Sequence, residues 1–365
     1  MIFRPAGLAT GIGSLPFTEP EEALGPIWEN LPEIPHWPQL PQRGREEGFV
    51  FQFLTPLVKT GVLTVDAGSG RAFFNTAAPA WAERLTEFYD LYLRAQEGDR
   101  EALAEFAFPR EAAAGFYAFA GQVKERGAQE ALYFKGQLAG PLTIGFALKD
   151  EQGRPAYYNE QLRELIRQAL ALHARWQALA LAGLGRPAII FIDDPGVSVY
   201  GRFSFITVTK EMIAADLGEI VRAVHGAGAL AGVHSCDAID WSILFADELA
   251  LDIVNLDAYN FGESLYPYAR EAGAFLERGG AVAWGIVPTS EKAGEEDEQN
   301  LAGKLAGLWG ELEKRGLPRE LLKRQALITP ACGAGLLAPE LARRIYRLTR
   351  AVSGMVRAGG AGCLL

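Results

Sequence analysis

The chain alternates short apolar runs with longer stretches in which apolar residues recur every three or four positions. The apolar runs cover residues 8–12, 61–66, 132–137, 188–192, 230–233, 253–256, 281–286 and 326–328. Residues 81–96, 160–181, 210–225, 265–278, 299–315 and 339–352 carry the spacing of helices buried along one face. A short, nearly unbroken apolar run fits a strand covered on both sides. Strands and helices taken in turn predict a parallel α/β sheet, and eight strands predict a single (β/α)8 TIM barrel.

The second strand has two candidates. His36-Trp37-Pro38-Gln39-Leu40-Pro41 competes with residues 61–66. Proline donates no ladder hydrogen bond, so propensity favours 61–66. The stretch from Glu19 to Arg126 is too long for ordinary connections. It is expected to form an N-terminal excursion, a hairpin or helices over the barrel mouth. No solenoid repeat or low-complexity linker divides the chain, so residues 1–365 are expected to form one domain.

Composition narrows the function. Of 365 residues 49% are hydrophobic, which is ample for a large core. A net charge of −10 argues against general affinity for nucleic acid or an anionic membrane. No apolar run approaches the ~18 residues needed to span a bilayer. The start, Met1-Ile2-Phe3-Arg4-Pro5, lacks the pattern of a signal peptide. With three cysteines, a reducing cytoplasm is expected rather than a disulfide framework. Cys363 stands too close to the C-terminus for a prenylation box.

Chemistry concentrates at the ends of the predicted strands, where parallel α/β folds bind ligands. His234-Ser235-Cys236 follows the run 230–233, and Thr329-Pro330-Ala331-Cys332-Gly333 follows 326–328. His234 and Cys236 are two residues apart, so in extended chain both face the same side. Two thiolates and one imidazole make a three-ligand zinc site with one open position, the pattern of catalytic zinc. The plainer reading is that the cysteines pack as small hydrophobes. A Gly-flanked strand exit is an unusual place for that.

Phe191-Ile192-Asp193-Asp194-Pro195-Gly196 runs a strand into two acids and a breaker. One acid is expected to cap the turn. Asp193 is the preferred catalytic and substrate-binding carboxylate, suited to an ammonium group or proton transfer; Asp194 is the adjoining substrate-contact candidate. In Gly11-Ile12-Gly13-Ser14-Leu15-Pro16, Ser14 and nearby N–H groups suit a carboxylate. Pro16 excludes a dinucleotide fingerprint there. Asp257 could approach the metal, orient His234, take up a substrate proton, or sit solvated in a loop. Residues 136–143 and 285–290 read as further mouth loops, and the acids after Ser290 as favouring the next helix N-terminus. His36 with Trp37, and Tyr259 with Phe261, are candidate pocket aromatics or plain packing; His173 and His225 read as structural.

Together Gly13-Ser14-Leu15-Pro16, Ile192-Asp193-Asp194-Pro195, His234-Ser235-Cys236 and Pro330-Ala331-Cys332-Gly333 resemble the cobalamin-independent methionine synthase family. The resemblance is to its catalytic C-terminal barrel, within the larger group that includes uroporphyrinogen decarboxylase, and spans nearly the whole chain. It implies zinc held by His234, Cys236 and Cys332, with Asp257 where the family places a glutamate ligand. It implies that Ser14 and Asp193 grip the carboxylate and amino groups of homocysteine. Glu46 and Glu47 lie near the region of a second amine-binding glutamate. Full-length members carry an additional N-terminal domain that helps bind folate, and the resemblance implies that residues 1–365 correspond to the barrel alone. The donor implied is therefore methyl-tetrahydrofolate or a methylcorrinoid, the latter carried by a partner corrinoid protein. The expected activity is zinc-dependent S-methylation of a thiol, homocysteine giving methionine. Two alternatives stay open: a metal-free decarboxylase, which would need arginines where the mouth segments offer only Arg43 and Arg45, and a non-catalytic corrinoid- or pterin-binding accessory protein.

Overall fold

The computed structural model describes residues 3–66 and 68–359, so Cys363 lies outside the described residues. Its strands are β1 (Leu63–Val65), β2 (Ala72–Phe74), β3 (Phe134–Ala139), β4 (Lys149–Asp150), β5 (Ala188–Asp193), β6 (Leu230–Ser235), β7 (Ile253–Leu256), β8 (Ala281–Val287) and β9 (Ala326–Pro330). Six of them form one curled sheet in the order β3-β5-β6-β7-β8-β9, parallel throughout. Apart from Leu230 at the start of β6 all six are buried along their length, as the largely apolar runs predict.

Two extended segments bridge the gap between β3 and β9. Residues 7–10 run beside β9: Gly7 donates to Ala326, Thr10 to Ile328 and Ile328 to Leu8, at 2.8–3.1 Å. Ser14 and Gln39 form a parallel bridge, with Gln39 N–H 3.0 Å from Gly13 O and Leu15 N–H 2.9 Å from Gln39 O. His36 then bridges Lys135 of β3. The ring thus has eight staves, six regular and two irregular.

This corrects the second-strand expectation. The segment with the prolines takes the place, and residues 61–66 do not. Pro35, Pro38 and Pro41 remove donors from the ladder, so the segment makes isolated bridges rather than a strand. Side chains add to these few main-chain bonds, as when Trp37 Nε1 donates to Gln177 at 2.9 Å. β1 and β2 form a separate antiparallel hairpin that joins β4.

The N-terminal excursion is only partly a mouth cover. The helices Trp81–Gln96 and Arg100–Ala104 pack against the flank helix Glu160–Ala182, and Ala114–Arg126 packs against Pro20–Asn30. The tight turns Pro41–Arg43, Arg45–Glu47 and Phe51–Phe53 lie nearer the mouth, where Pro41 and Phe49 line the cavity.

Helix starts follow local chemistry. Asn159, Thr209 and Asp297 cap the helices Glu160–Ala182, Lys210–Gly226 and Glu298–Lys314 by accepting their first N–H groups. Asp297 is one of the acids expected to serve that end. Among the described residues no helix is long and apolar enough to cross a membrane.

Inside the ring, alternation sets the layers. The lower interior is apolar, with Phe3, Leu8, Ile12, Ile189, Phe191, Ile253 and Leu327 in one cluster. Two residues further along the same rows the side chains turn polar: Asp193 after Phe191, Asn255 after Ile253 and Thr329 after Leu327. That change of polarity marks the floor of the site.

Candidate metal centre

His234 points from the end of β6, Cys236 follows in the loop, and Cys332 follows β9. One ligand atom from each lies within 4.8 Å of the other two. These are the only three side chains so gathered among the described residues. They open onto a cavity of about 490 Å³ whose wall also includes Ser14, Gln39, Phe49, Asp193 and Thr289.

The histidine is oriented by a residue that sequence reasoning missed. Asn255 of β7 donates through Nδ2 to Ala283 O at 2.8 Å and to Thr329 Oγ1 at 2.9 Å. Both amide hydrogens are committed, so the Asn255 oxygen must face His234. His234 therefore donates from Nδ1 to Asn255 Oδ1. That fixes the tautomer and leaves the lone pair on Nε2, which is buried and has no hydrogen-bond partner. An orphaned imidazole nitrogen beside two sulfurs is the donor set that suits zinc. The signal was present in the sequence as one polar residue inside the apolar run 253–256.

Charge preferences agree. The Cys236 thiol is drawn down to about 4, first by its hydrogen bond with Cys332 and then by His234. Cys332 is pushed far above the ordinary thiol range by the same bond, with burial adding to it. Burial opposes a charge on His234, yet Cys236 and Asp193 outweigh it and raise its affinity for a proton. The pocket between these groups favours positive charge, whether a proton or a metal ion.

Asp193 faces the cavity from the end of β5, with Oδ1 buried and without a donor. Burial raises its pKa to about 6, against the pull of His234 and Lys135. Ser14 also lines the cavity, where its Oγ accepts from Gly335 N–H at 3.2 Å and keeps its own proton to give. Gly13 permits this placement: its φ is 137°, and a Cβ there would come 2.6 Å from Gln137 Cδ.

Four expectations are corrected. Asp194 does not face the cavity. It accepts from Leu142 N–H at 3.0 Å, Thr143 N–H at 2.9 Å and Thr143 Oγ1 at 2.6 Å, capping the helix Pro141–Ala147 from the next strand. Glu46 is exposed, and Glu47 is buried against Arg43 at 2.6 Å and Ala114 N–H at 3.4 Å; neither lines the cavity. Asp257 neither joins the ligand cluster nor orients His234. Its oxygens accept from Asn260 N–H at 2.9 Å and Asn260 Nδ2 at 2.7 Å, capping the helix Ala258–Phe261. The candidate pocket aromatics turn elsewhere: His36 Nε2 meets Tyr346 Oη at 2.7 Å, Trp37 packs on Phe108 and Phe116, and Tyr259 and Phe261 border a different groove. His173 and His225 are structural, bonded at 2.8 Å to Phe106 O and Asp252 Oδ2 respectively.

Arginine is absent from the cavity wall. Arg43 is held by Glu47 and by Thr18 O at 2.6 Å, and Arg45 lies over the Phe51 ring at 3.8 Å. A site for several substrate carboxylates is therefore not built here.

The buried cap makes a stability prediction. Asp194→Ala strands three donors and is expected to lose about 3 kcal/mol. The fall in urea midpoint measures it; an unchanged midpoint would contradict the assignment.

No protein-family model matches the chain, and no curated protein matches it. Among solved structures, it is similar to a B12-independent methionine synthase from Shewanella sp. W3-18-1 in complex with selenomethionine, with 19% identity, 67% of each chain covered and a TM-score of 0.44.

Proposed function

We propose that the chain is a zinc-dependent thiol S-methyltransferase, with homocysteine as acceptor and methionine as product. The observation that carries this is the meeting of the freed His234 Nε2 with Cys236 and Cys332 at the wall of an open cavity. His234, Cys236 and Cys332 would hold the ion and leave one position for a further sulfur. Zinc supplies Lewis acidity there, keeping an incoming thiol in its nucleophilic thiolate form at neutral pH.

The chain's own residues supply placement. Asp193 offers an unpartnered carboxylate oxygen to a substrate ammonium group, and the Ser14 hydroxyl can donate to a carboxylate. An amino acid bound at both ends has its sulfur aimed toward the cysteine cluster, so little freedom remains to be lost on reaction. The acceptor sulfur then bonds to the methyl carbon as the donor releases it on the opposite side. The motif resemblance supports the same reading. The donor is methyl-tetrahydrofolate or a methylcorrinoid, the latter presented by a corrinoid protein.

The test supplies zinc-loaded protein with homocysteine and each donor in turn, and follows methionine by mass spectrometry. Methionine from at least one donor, dependent on zinc, is expected. No methylated thiol from either donor at full zinc occupancy would overturn the proposal.

A further inference from the structure

Lys135 is a lysine with no exposed surface, set inside the barrel just below the cavity. Its Nζ donates to Ile12 O at 3.1 Å and Gln137 Oε1 at 3.3 Å, and stands 4.6 Å from the centre of the Phe191 ring. No carboxylate of the described residues comes within ion-pair distance of it. A buried ammonium without a paired anion is expensive, and a neutral donor would serve the same two acceptors. The charge therefore calls for a reason beyond packing.

Two features of the surroundings supply one. Ile12, whose carbonyl Lys135 grips, itself lines the cavity and lies two residues before Ser14. Among the described residues the main chain of Ile12 makes no ladder bond, so the ammonium is the restraint on its carbonyl. Gln137 completes the clasp by donating to Trp37 O at 3.2 Å, which ties the other irregular stave to the same pair. Separately, the interior is rich in negative charge. Two thiolates would offset a zinc dication; a bound acceptor would add a thiolate and a carboxylate against one ammonium, so that with Asp193 two negative charges are left to be balanced. Lys135 is the cation beneath that cavity.

We propose that Lys135 is a positioning residue that selects carboxylate-bearing thiols, by fixing the Ile12–Ser14 wall and by placing a buried positive charge under it. The inference rests on the thiol-binding reading of the site. Its effect is directional: both actions favour an acceptor with a carboxylate over one without.

The test compares binding of homocysteine with that of 3-aminopropane-1-thiol, which keeps the amine and thiol and lacks the carboxylate. Both are titrated calorimetrically into zinc-loaded protein, without a methyl donor. The unaltered protein is expected to prefer homocysteine by about tenfold or more. Lys135→Met is expected to lose most of that preference while binding 3-aminopropane-1-thiol as before. Adding Ser14→Ala to Lys135→Met should cost little further selectivity, since both act on one wall. Lys135→Gln keeps a donor and drops the charge, and stands in if the methionine variant does not fold.

Failure has separate signatures. If the unaltered protein binds neither thiol, the methyltransferase reading falls and takes this one with it. If it binds both with equal affinity, or if Lys135→Met leaves the preference intact, the Lys135 assignment alone falls. Equal weakening of both thiols in the variant marks a structural role and overturns it too.

Discussion

Cys332→Ser and Cys236→Ser are each expected to abolish zinc retention and methyl transfer together. A zinc site of four protein ligands delivers about 10–16 kcal/mol, so one ligand is worth roughly 3 kcal/mol, a hundred- to thousand-fold in affinity. Here only three protein ligands are gathered, so losing one leaves two. Serine adds to the deficit, because a hydroxyl keeps its proton where a thiol gives it up. The substitution is otherwise mild: both cysteines are partly exposed, and serine fills nearly the same volume. Metal content after dialysis, measured by atomic emission, should fall in parallel with activity while the melting profile of the zinc-free protein stays the same. A serine variant with a full complement of zinc and normal turnover would remove the basis of the proposed chemistry.

Asn255→Leu is expected to weaken zinc binding about 10- to 100-fold without touching a ligand. The substituted side chain has a similar shape and no hydrogen-bonding groups. It would strand His234 Nδ1 and the Ala283 carbonyl and leave Thr329 without its donor. The imidazole would lose the partner that keeps its proton on Nδ1, so the lone pair would no longer be held at Nε2. Stability should also drop, by about 2 kcal/mol, because buried polar groups lose their partners. The discriminating measurement is rescue. Excess zinc should restore activity to Asn255→Leu, whose ligands are intact, and fail to restore it to Cys332→Ser. If Asn255→Leu binds zinc as tightly as the unaltered protein, the orienting role is refuted.

The regular half of the ring could be read directly from the chain, because strands buried on both faces announce themselves as apolar runs. All six of β3 and β5 to β9 fall on predicted runs. The three candidate ligands were also legible, since rare residue types at strand exits stand out against the background. What escaped was whatever depends on tertiary support. Residues 36–40 were passed over because proline argues against a strand, and the structure holds them by a few main-chain bridges and by side-chain bonds that propensity does not weigh. Glu46 and Glu47 looked suitable by type and position, yet Arg43 claims one and solvent the other. Asp194 and Asp257 were assigned to the site as strand-exit carboxylates, but each is spent on capping a helix. Asn255 and Lys135 were hidden in plain view as polar interruptions of apolar runs. Alternation puts such a residue either into solvent or into the ring, and in a closed barrel only the second is open to it.

The two irregular staves have a consequence for how the wall divides its labour. Ser14 and Gln39 stand on the part of the ring with the sparsest main-chain pairing, whereas His234 rises from β6, which is flanked by a regular strand on each side. Cys332 is the exception to this division, because Ala334 and Gly335 just beyond it donate to Ser14 O at 2.9 Å and Ser14 Oγ at 3.2 Å. A lineage could therefore retune which acceptor fits through the proline-rich stave and leave His234 and Cys236 undisturbed, whereas a change at Ser14 would be felt at Cys332.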